Sequence, residues 1–184
     1  LPEVPGLSQA DLGQRLLIAP SPGYVEQAFD HVKYHEVSAK PVMEITIPSL
    51  HDASLAPPGQ HVLSAIVQYA PGQPKDSDAA GQFEANIMAT LETFLPGIGA
   101  QVLASELLLP ADLEALYGMT GGHWHHGEYA LDQFLMLRPV PGAAQYATPV
   151  NGLYLCGAGC HPGGNVAGVA GRNCADAVLK GVLL

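Results

Sequence analysis

A glycine-rich turn near the C-terminus has the residue types best suited to holding a ligand. The apolar run at 153–156 predicts a short strand that is buried on both faces. The run leads into Gly157-x-Gly159-x-x-x-Gly163-Gly164, and a final helix is predicted over about 166–180 with Asn165 as its N-cap. A strand, a glycine turn and a helix N-terminus in this order let a nucleotide cofactor approach backbone N–H groups, because glycine has no Cβ.

The spacing of this turn limits what it can be. The standard dinucleotide fingerprint, G-x-G-x-x-G, opens a βαβ unit with an acidic residue about 20 positions later. Only 20 residues follow Gly164, which leaves no room for the second strand. The turn therefore either completes a cofactor domain that lies mostly upstream or is a structural turn with close helix–strand packing. Gly168 and Gly171 inside the predicted helix indicate that another backbone or a flat ligand packs close to it.

Histidines and one arginine form a second group of chemical candidates. His123, His125 and His126 precede Glu128, and such a loop can place two imidazoles on one metal ion. Neither an H-E-x-x-H helix nor paired thiolates accompany them, so we predict no metal site. Arg138 is the single basic residue of the apolar run 131–141. Its partner is a substrate carboxylate, a cofactor or the other half of a structural ion pair.

The composition excludes several classes of protein. The chain has 184 residues, with 17 acidic and 7 basic side chains and a net charge of −10, so we expect neither nucleic-acid binding nor docking on anionic lipid. No apolar run approaches the ~18 residues of a membrane span. Since the first residues contain neither a basic nor an apolar stretch, we expect no signal peptide. The three cysteines, Cys156, Cys160 and Cys174, are an odd number with poor zinc spacing, which predicts reduced thiols and a cytoplasmic protein.

The share of charged residues is low for a chain of this size. It is 13 %, about half of the usual ~25 %. This shortage predicts that something else normally covers part of the surface. Since the chain also begins without Met, we expect either a processed protein or a piece of a longer one. With its apolar face uncovered, such a piece is expected to self-associate.

The spacing of apolar residues, together with the capping, Pro and Gly residues between them, predicts mixed α and β structure before Gly118. Ser21 followed by Pro22 predicts the start of a helix. Asp76 and Asp78 can cap another helix, whose apolar stripe predicts a core-facing side. The Pro57-Pro58-Gly59 turn predicts that the second and third strands pair antiparallel. The predicted strands are 15–19 (buried), 42–47, 61–70 and 101–109, and the predicted helices are 22–34, 79–95 and a short one between Pro110 and Gly118.

The same residues carry a resemblance to a known family. The stretch GLYLCGAGCHPGGNVAGVAGRNCA (152–175) resembles the C-terminal flavin-binding motif of the phytoene desaturase-related FAD-dependent oxidoreductases, of the pyridine nucleotide-disulfide oxidoreductase domain-containing type. IAPSPGYVEQAFD (18–30), EITIPSLHDASLAPPGQHVLSAIVQYAP (44–71) and HHGEYALDQFLMLRPVPG (125–142) resemble the same family in the expected order. The resemblance therefore covers essentially the whole chain.

The resemblance implies an α+β / α/β fold in two parts. Residues 1–140 would form most of an antiparallel-sheet substrate domain with flanking helices. Residues 141–184 would supply the terminal strand and helix of a Rossmann-type FAD domain whose main part is missing. The implied cofactor is FAD, which this chain alone is not expected to retain. The implied partners are the N-terminal FAD-binding half of the same polypeptide and a small apolar substrate.

The resemblance also implies which residues meet the flavin. Gly157 to Gly159 would run beside the ribityl chain, and the helix N-terminus at Val166 would face the pyrimidine edge, where a reduced flavin carries negative charge. Ala158 departs from relatives that carry an acidic residue there, so only backbone can serve. His126, Arg138 and His161 are the candidate catalytic residues. The implied cofactor contacts are Gly157, Ala158, Gly159, His161, Pro162, Gly163, Gly164, Asn165 and Val166.

These observations give a leading hypothesis and two alternatives. The leading one is the C-terminal part of an FAD-dependent oxidoreductase that removes hydride from an apolar substrate and is inactive without its N-terminal half. The second is a stand-alone, non-catalytic binding or interaction module that retains half of the fold. The third is a metal-dependent protein that uses the histidine loop.

Overall fold

A computed structural model describes residues 7–123, 130–164 and 167–181. The chain divides into two compact units, Leu1–Ala111 (unit 1) and Asp112–Leu184 (unit 2). This division concerns compactness alone, so the functional boundary predicted between residues 140 and 141 stays a prediction.

Unit 1 is an α+β arrangement built on a small antiparallel sheet. Its three strands, β1 (Leu16–Ile18), β2 (Val42–Thr46) and β3 (Ser64–Gln68), lie in the order β1-β2-β3. The register pairs Leu17 of β1 with Glu44 of β2, and Val42 of β2 with Gln68 of β3. The antiparallel pairing predicted from the Pro-Pro-Gly turn is therefore confirmed. In chain order the elements are α1 (Gln9–Leu12), β1 (Leu16–Ile18), α2 (Pro22–Lys33), β2 (Val42–Thr46) and β3 (Ser64–Gln68).

Two further predicted helices are α3 (Ala79–Phe94) and α4 (Pro110–Tyr117). At the start of α2, the Ser21 hydroxyl accepts a hydrogen bond from the N–H of Tyr24 at 3.2 Å, which confirms the predicted cap. Asp78 is the N-cap of α3 but makes no side-chain capping bond. Short 3₁₀ turns cover Pro48–Leu50, Ala53–Leu55, Gly99–Gln101, Thr120–Gly122, Leu131–Gln133 and Leu135–Leu137.

The core of unit 1 lies where the inner face of the sheet meets α3. Leu91 and Leu95, from the predicted stripe of α3, pack there with Met43 and Ile45 of β2, which are completely buried. Such apolar burial contributes roughly 1.5–3 kcal/mol per large side chain. The buried members of this cluster are Leu12, Ile18, Met43, Ile45, Ile47, Leu91, Leu95 and Ile98.

Two strand predictions are corrected by the structure. The run 101–109 is not a strand: after the 3₁₀ turn its backbone is irregular, and Leu103 is 78 % exposed. An apolar run becomes a strand only where a partner strand supplies the hydrogen bonds, and the described sheet offers none to this run. The strand at 15–19 exists as β1, but it is an edge strand with Leu17 65 % exposed, rather than buried.

Unit 2 is mostly irregular and ends in α5 (Val169–Lys180). Its small core contains one aromatic residue, Tyr146, among residues with short side chains: Cys160, Ala170, Cys174 and Ala177. Among the residues that the structure describes, no helix combines the length and the apolar character that crossing a bilayer requires.

Candidate functional site

The glycine turn consists of two consecutive hydrogen-bonded turns. The N–H of Cys160 donates to the carbonyl of Gly157 at 3.1 Å, and the N–H of Gly163 donates to the carbonyl of Cys160 at 2.7 Å. Gly157 and Gly163 have φ angles of 90° and 107°, which residues with a Cβ rarely adopt. The path of the backbone therefore requires glycine at these two positions, whether or not a ligand is present.

The other two glycines of the turn differ in their surroundings. A Cβ on Gly164 would lie 2.7 Å from the Cβ of Ala158, so Gly164 is required by packing within the turn. A Cβ on Gly159 would have no described atom within 4 Å, and the φ of Gly159 is not positive. Gly159 is thus needed neither by its backbone angle nor by a described neighbour. Its missing side chain leaves open space beside the backbone.

The open side of the turn fits the flavin cofactor that the resemblance implies. Open space also lies where a Cβ of Gly157 or Gly163 would project, as judged from the described atoms. No described residue accepts a hydrogen bond from the N–H of Ala158 or Gly159. Open space beside glycines, together with available N–H groups, is what an anionic or electron-rich ligand needs.

Arg138 connects the turn to the preceding loop. The side chain is buried, with 1 % of the residue exposed. Its Nε donates to the carbonyl of Gln133 at 3.0 Å, and its Nη1 donates to the carbonyl of Ala158 at 2.8 Å. Two main-chain carbonyls are therefore among its partners, where the sequence predicted a substrate carboxylate, a cofactor or the other half of a structural ion pair. The catalytic role assigned to Arg138 stays a prediction, while a role in holding the turn rests on these two bonds.

His161 is the candidate catalytic residue with an available nitrogen. It lines a cleft of about 320 Å³ together with Tyr146, Asn173, Asp176 and Lys180. Its Nδ1 is buried and has no hydrogen-bond partner within the described part of the chain. Buried polar atoms are rarely left unpaired, so this nitrogen is suited to meet a polar group of a ligand. The catalytic role predicted for His161 remains a prediction.

The start of the last helix corrects a prediction. The helix begins at Val169, and its N-cap is Gly168, with a φ of 64° and no side-chain capping bond. The prediction of Asn165 as the N-cap and of the helix N-terminus at Val166 is therefore wrong. Glycine at 168 serves the left-handed cap conformation, which a sequence pattern of apolar residues does not reveal. Asn165 and Val166 themselves, as predicted cofactor contacts, lie outside the described residues.

The prediction for the apolar run before the turn is also corrected. Instead of a strand buried on both faces, 153–156 makes one isolated antiparallel bridge, between Ala147 and Tyr154. Leu153 and Leu155 are 50 % and 46 % exposed. Alternate side chains of a strand point to opposite faces of a sheet, so burial of both sets requires a sheet that is covered on both faces. The described residues of unit 2 supply only this bridge.

The histidine loop lies largely outside the described residues. His123 is described, whereas His125, His126 and Glu128 are not. Within the described ranges, no three His, Cys, Asp or Glu side chains are grouped so that they could hold a metal ion.

The three cysteines are free thiols, with Cys156 exposed and Cys160 and Cys174 buried. Burial is the main cause that raises the pKa of the Cys160 and Cys174 thiols above the usual 9.0, and the proximity of Cys156 adds to it. Both groups are consequently neutral thiols near pH 7, which makes them poor nucleophiles.

Comparison with known proteins places the chain among oxidoreductases. It is 42 % identical over 161 residues to pyridine nucleotide-disulfide oxidoreductase domain-containing protein 2 of Mus musculus, a match that covers 85 % of this chain and 28 % of the relative. It is 32 % identical over 127 residues to one of the subunits of limonene dehydrogenase from Castellaniella defragrans, covering 67 % of this chain and 23 % of that protein.

A third relative is the neurosporene-forming phytoene desaturase of Cereibacter sphaeroides, 30 % identical over 128 residues, or 67 % of this chain and 24 % of the desaturase. The chain belongs to the phytoene desaturase-related oxidoreductase family. It spans about a quarter of the length of these relatives and fits a C-terminal portion of them. No protein-family model matches it.

Two residues beside the turn were not among the sequence-based candidates, Tyr146 and Asn173. The Tyr146 hydroxyl donates to the carbonyl of His161 at 2.7 Å, and Asn173 Nδ2 donates to the Tyr146 oxygen at 2.9 Å. The only signal available in the sequence was a polar Asn on the otherwise small-residue face of the last helix.

Proposed function

We propose that this chain is the C-terminal portion of an FAD-dependent oxidoreductase that removes hydride from a C–H or C–N bond of an apolar substrate. The observation that carries the proposal is the open, Cβ-free side of the glycine turn in a chain related to desaturases and a dehydrogenase. A bound FAD would supply the hydride acceptor and the route of electrons to a second acceptor.

The residues of this chain would bind and orient the cofactor. Gly157, Ala158 and Gly159 would contact it with backbone only, since Ala158 brings no polar side chain. Pro162, Gly163 and Gly164 continue the same turn. The N-terminal end of α5 carries a partial positive charge from the helix dipole, which would stabilise negative charge on a reduced ring. His161, whose Nδ1 has no partner within the described residues, would meet a polar group of the ligand.

An apolar substrate is proposed from the relatives and from the exposed side chains. Limonene and phytoene, named in the relatives, are hydrocarbons. In this chain the loop before Arg138 exposes several large apolar residues. They are Leu131, Phe134, Leu135, Met136 and Leu137.

The chain is proposed to be inactive until the rest of the polypeptide completes the site. The relatives are longer than this chain, since the match of 161 residues covers 28 % of one of them. We propose that their additional N-terminal half supplies the main FAD-binding unit and packs on the exposed Leu153 and Leu155. The three free thiols support a cytoplasmic location.

Gly159 offers the sharpest test of cofactor binding at the turn. We define the extended chain as this chain preceded by the upstream residues that bring it to the length of its relatives. Gly159→Ala adds one methyl group to the open side at a position whose backbone accepts it, so the fold should persist. FAD affinity of the extended chain, followed by flavin fluorescence, is expected to fall at least about tenfold, the effect of a few displaced contacts.

Gly72→Ala is the matched control, because a Cβ there also meets no described atom and its φ is not positive. It lies between β3 and α3, away from the turn in the sequence, and should leave FAD affinity unchanged. Equal affinity of Gly159→Ala and the unmodified protein would show that the cofactor does not approach this backbone. No flavin bound to the extended chain would overturn the oxidoreductase proposal and favour a non-catalytic interaction module.

A further inference from the structure

Tyr146 combines burial with a left-handed backbone. Its φ is 72°, and it is 7 % exposed. Two other described residues besides glycine have positive φ, His35 and Leu135, and both are exposed. A bulky side chain at positive φ is strained and persists only where surrounding contacts hold it. The contacts of Tyr146 therefore indicate what its strained backbone secures.

Those contacts join three segments of unit 2. The carbonyl of Tyr146 accepts a hydrogen bond from the N–H of Leu155 at 2.8 Å, next to the β-bridge. Its hydroxyl donates to the carbonyl of His161 in the glycine turn at 2.7 Å. The same hydroxyl oxygen accepts from Asn173 Nδ2 of α5 at 2.9 Å. Because the hydroxyl oxygen accepts from Asn173, the hydroxyl proton is directed away from Asn173 and toward the carbonyl of His161 in the turn.

The ring and the hydroxyl of Tyr146 have separable tasks. The ring fills the core of unit 2 beside Cys160, Ala170, Cys174 and Ala177, a task that phenylalanine performs equally well. The hydroxyl contributes little to that packing. It fixes the peptide of His161, in the middle of the stretch between Cys160 and Gly163, and thereby the position from which the imidazole lines the cleft.

We propose that Tyr146 and Asn173 are positioning residues of the candidate cofactor turn: the Asn173 amide orients the Tyr146 hydroxyl, and this hydroxyl holds the turn through the carbonyl of His161. The proposal rests on the proposed function of that turn. It predicts that loss of one oxygen atom loosens the turn locally while the core of unit 2 stays intact.

Hydrogen exchange of individual amides in this chain tests the local effect. Tyr146→Phe should speed exchange of the Cys160 and Gly163 amides by about tenfold, the effect of one lost hydrogen bond, with less than about twofold change within α5. Tyr117→Phe, at an exposed tyrosine of the same unit, should change neither. Asn173→Leu should act in the same direction, and combining it with Tyr146→Phe should add little, because both act through one hydroxyl.

Two outcomes of this measurement would overturn the proposal. Unchanged exchange at Cys160 and Gly163 would show that the hydroxyl does not hold the turn. Equal acceleration in the turn and throughout α5 would show that Tyr146 merely supports the core.

FAD titration of the extended chain then separates this inference from the proposed function. Tyr146→Phe should weaken FAD binding about fivefold or more relative to Tyr117→Phe, since a looser turn must be ordered on binding. If the unmodified extended chain binds no FAD, the proposed function fails, while the exchange data still decide whether Tyr146 holds the turn. If FAD binds equally to both variants, the positioning role in binding is wrong although the proposed function stands.

Discussion

The two units of this chain are stabilised in different ways. Unit 1 buries eight apolar side chains in one cluster around β2 and α3. Unit 2 buries a smaller cluster, mostly of Cys and Ala, and relies on polar side chains that hold backbone carbonyls. Arg138 and Tyr146 each bind a carbonyl of the glycine turn, at Ala158 and His161.

This difference distinguishes residues that stabilise the fold from residues that stay available for binding. Unit 1 carries a core of its own. In unit 2 the segments around the turn are shaped by a few hydrogen bonds, and large apolar residues such as Leu131 and Leu153 remain exposed. These exposed residues leave room for the proposed cofactor and the proposed N-terminal half, which would occupy space that unit 2 does not fill with its own side chains.

The largest effect is expected from the core of unit 1. Ile45→Ala removes a completely buried side chain from β2 and should lower the free energy of unfolding by about 2–5 kcal/mol. Urea unfolding followed by far-UV circular dichroism measures this change. Leu17→Ala, on the exposed side of β1, should change it by less than about 0.5 kcal/mol. Similar losses for the two variants would show that a buried side chain of unit 1 contributes no more to its stability than an exposed one, which would contradict the description of unit 1 as internally packed.

The second prediction concerns the polar support of unit 2. Arg138→Met leaves the carbonyls of Gln133 and Ala158 without these donors, so the turn should open more easily by about 1–3 kcal/mol. Hydrogen exchange at Cys160 and Gly163 measures the opening. Arg172→Met, at an exposed arginine of α5, is the control. If the Cys160 and Gly163 amides exchange equally slowly in Arg138→Met and in the unmodified chain, the Arg138 side chain does not hold the turn.

A smaller effect is expected at the N-cap of α2, where a single hydrogen bond between nearby residues is lost. Ser21→Ala removes the N-cap bond to Tyr24 and should destabilise unit 1 by about 1 kcal/mol. Ser77→Ala, at an exposed serine before α3, should be close to neutral. The midpoint of urea unfolding compares the two. An equal shift of both midpoints would mean that the capping hydrogen bond of Ser21 contributes no more to stability than an exposed serine does.

The smallest effect depends on pH. Backbone N–H groups of Gly97 and Gly99 donate to the Glu92 carboxylate at 2.7 and 3.0 Å and lower its pKa below the usual 4.5. Since the folded pKa is lowered, this stabilisation is complete above pH 4.5 and is lost as the pH falls through the folded value. Glu92→Gln should thus be less stable than the unmodified chain at pH 7, and the difference should shrink as the pH falls below 4.5.

Glu106→Gln is the matched control for this titration, because Glu106 is exposed and its carboxylate caps no described backbone N–H group. At pH 7 this variant should be as stable as the unmodified chain, because the substitution removes no described hydrogen bond. A difference for Glu92→Gln that does not vary with pH would contradict the capping account.

Sequence patterns predicted unit 1 better than unit 2, for a physical reason. Ser21-Pro22 and the apolar stripe of α3 depend on neighbours within one or two turns, so α2 and α3 are where they were predicted. The strand at 101–109 failed because strand formation depends on a partner that the local sequence does not specify. Gly168 was expected inside the last helix, but its left-handed φ makes it the cap.

The candidate site was predictable only in part. The glycines of the turn and its resemblance to the family were visible in the sequence, and the relatives confirm the family. Tyr146 and Asn173 were not visible, because their roles arise from hydrogen bonds between residues 27 positions apart. Local spacing contains no information about such contacts.

Binding of FAD to this chain and to the extended chain is the most direct test of the central claim, that unit 2 contains one part of a flavin site. Titration followed by flavin fluorescence and the visible spectrum should show saturable, one-to-one binding to the extended chain and none to this chain alone. Stoichiometric binding to this chain alone would contradict the claim that the site is incomplete. Absence of binding to both would contradict the assignment of the glycine turn to a flavin site.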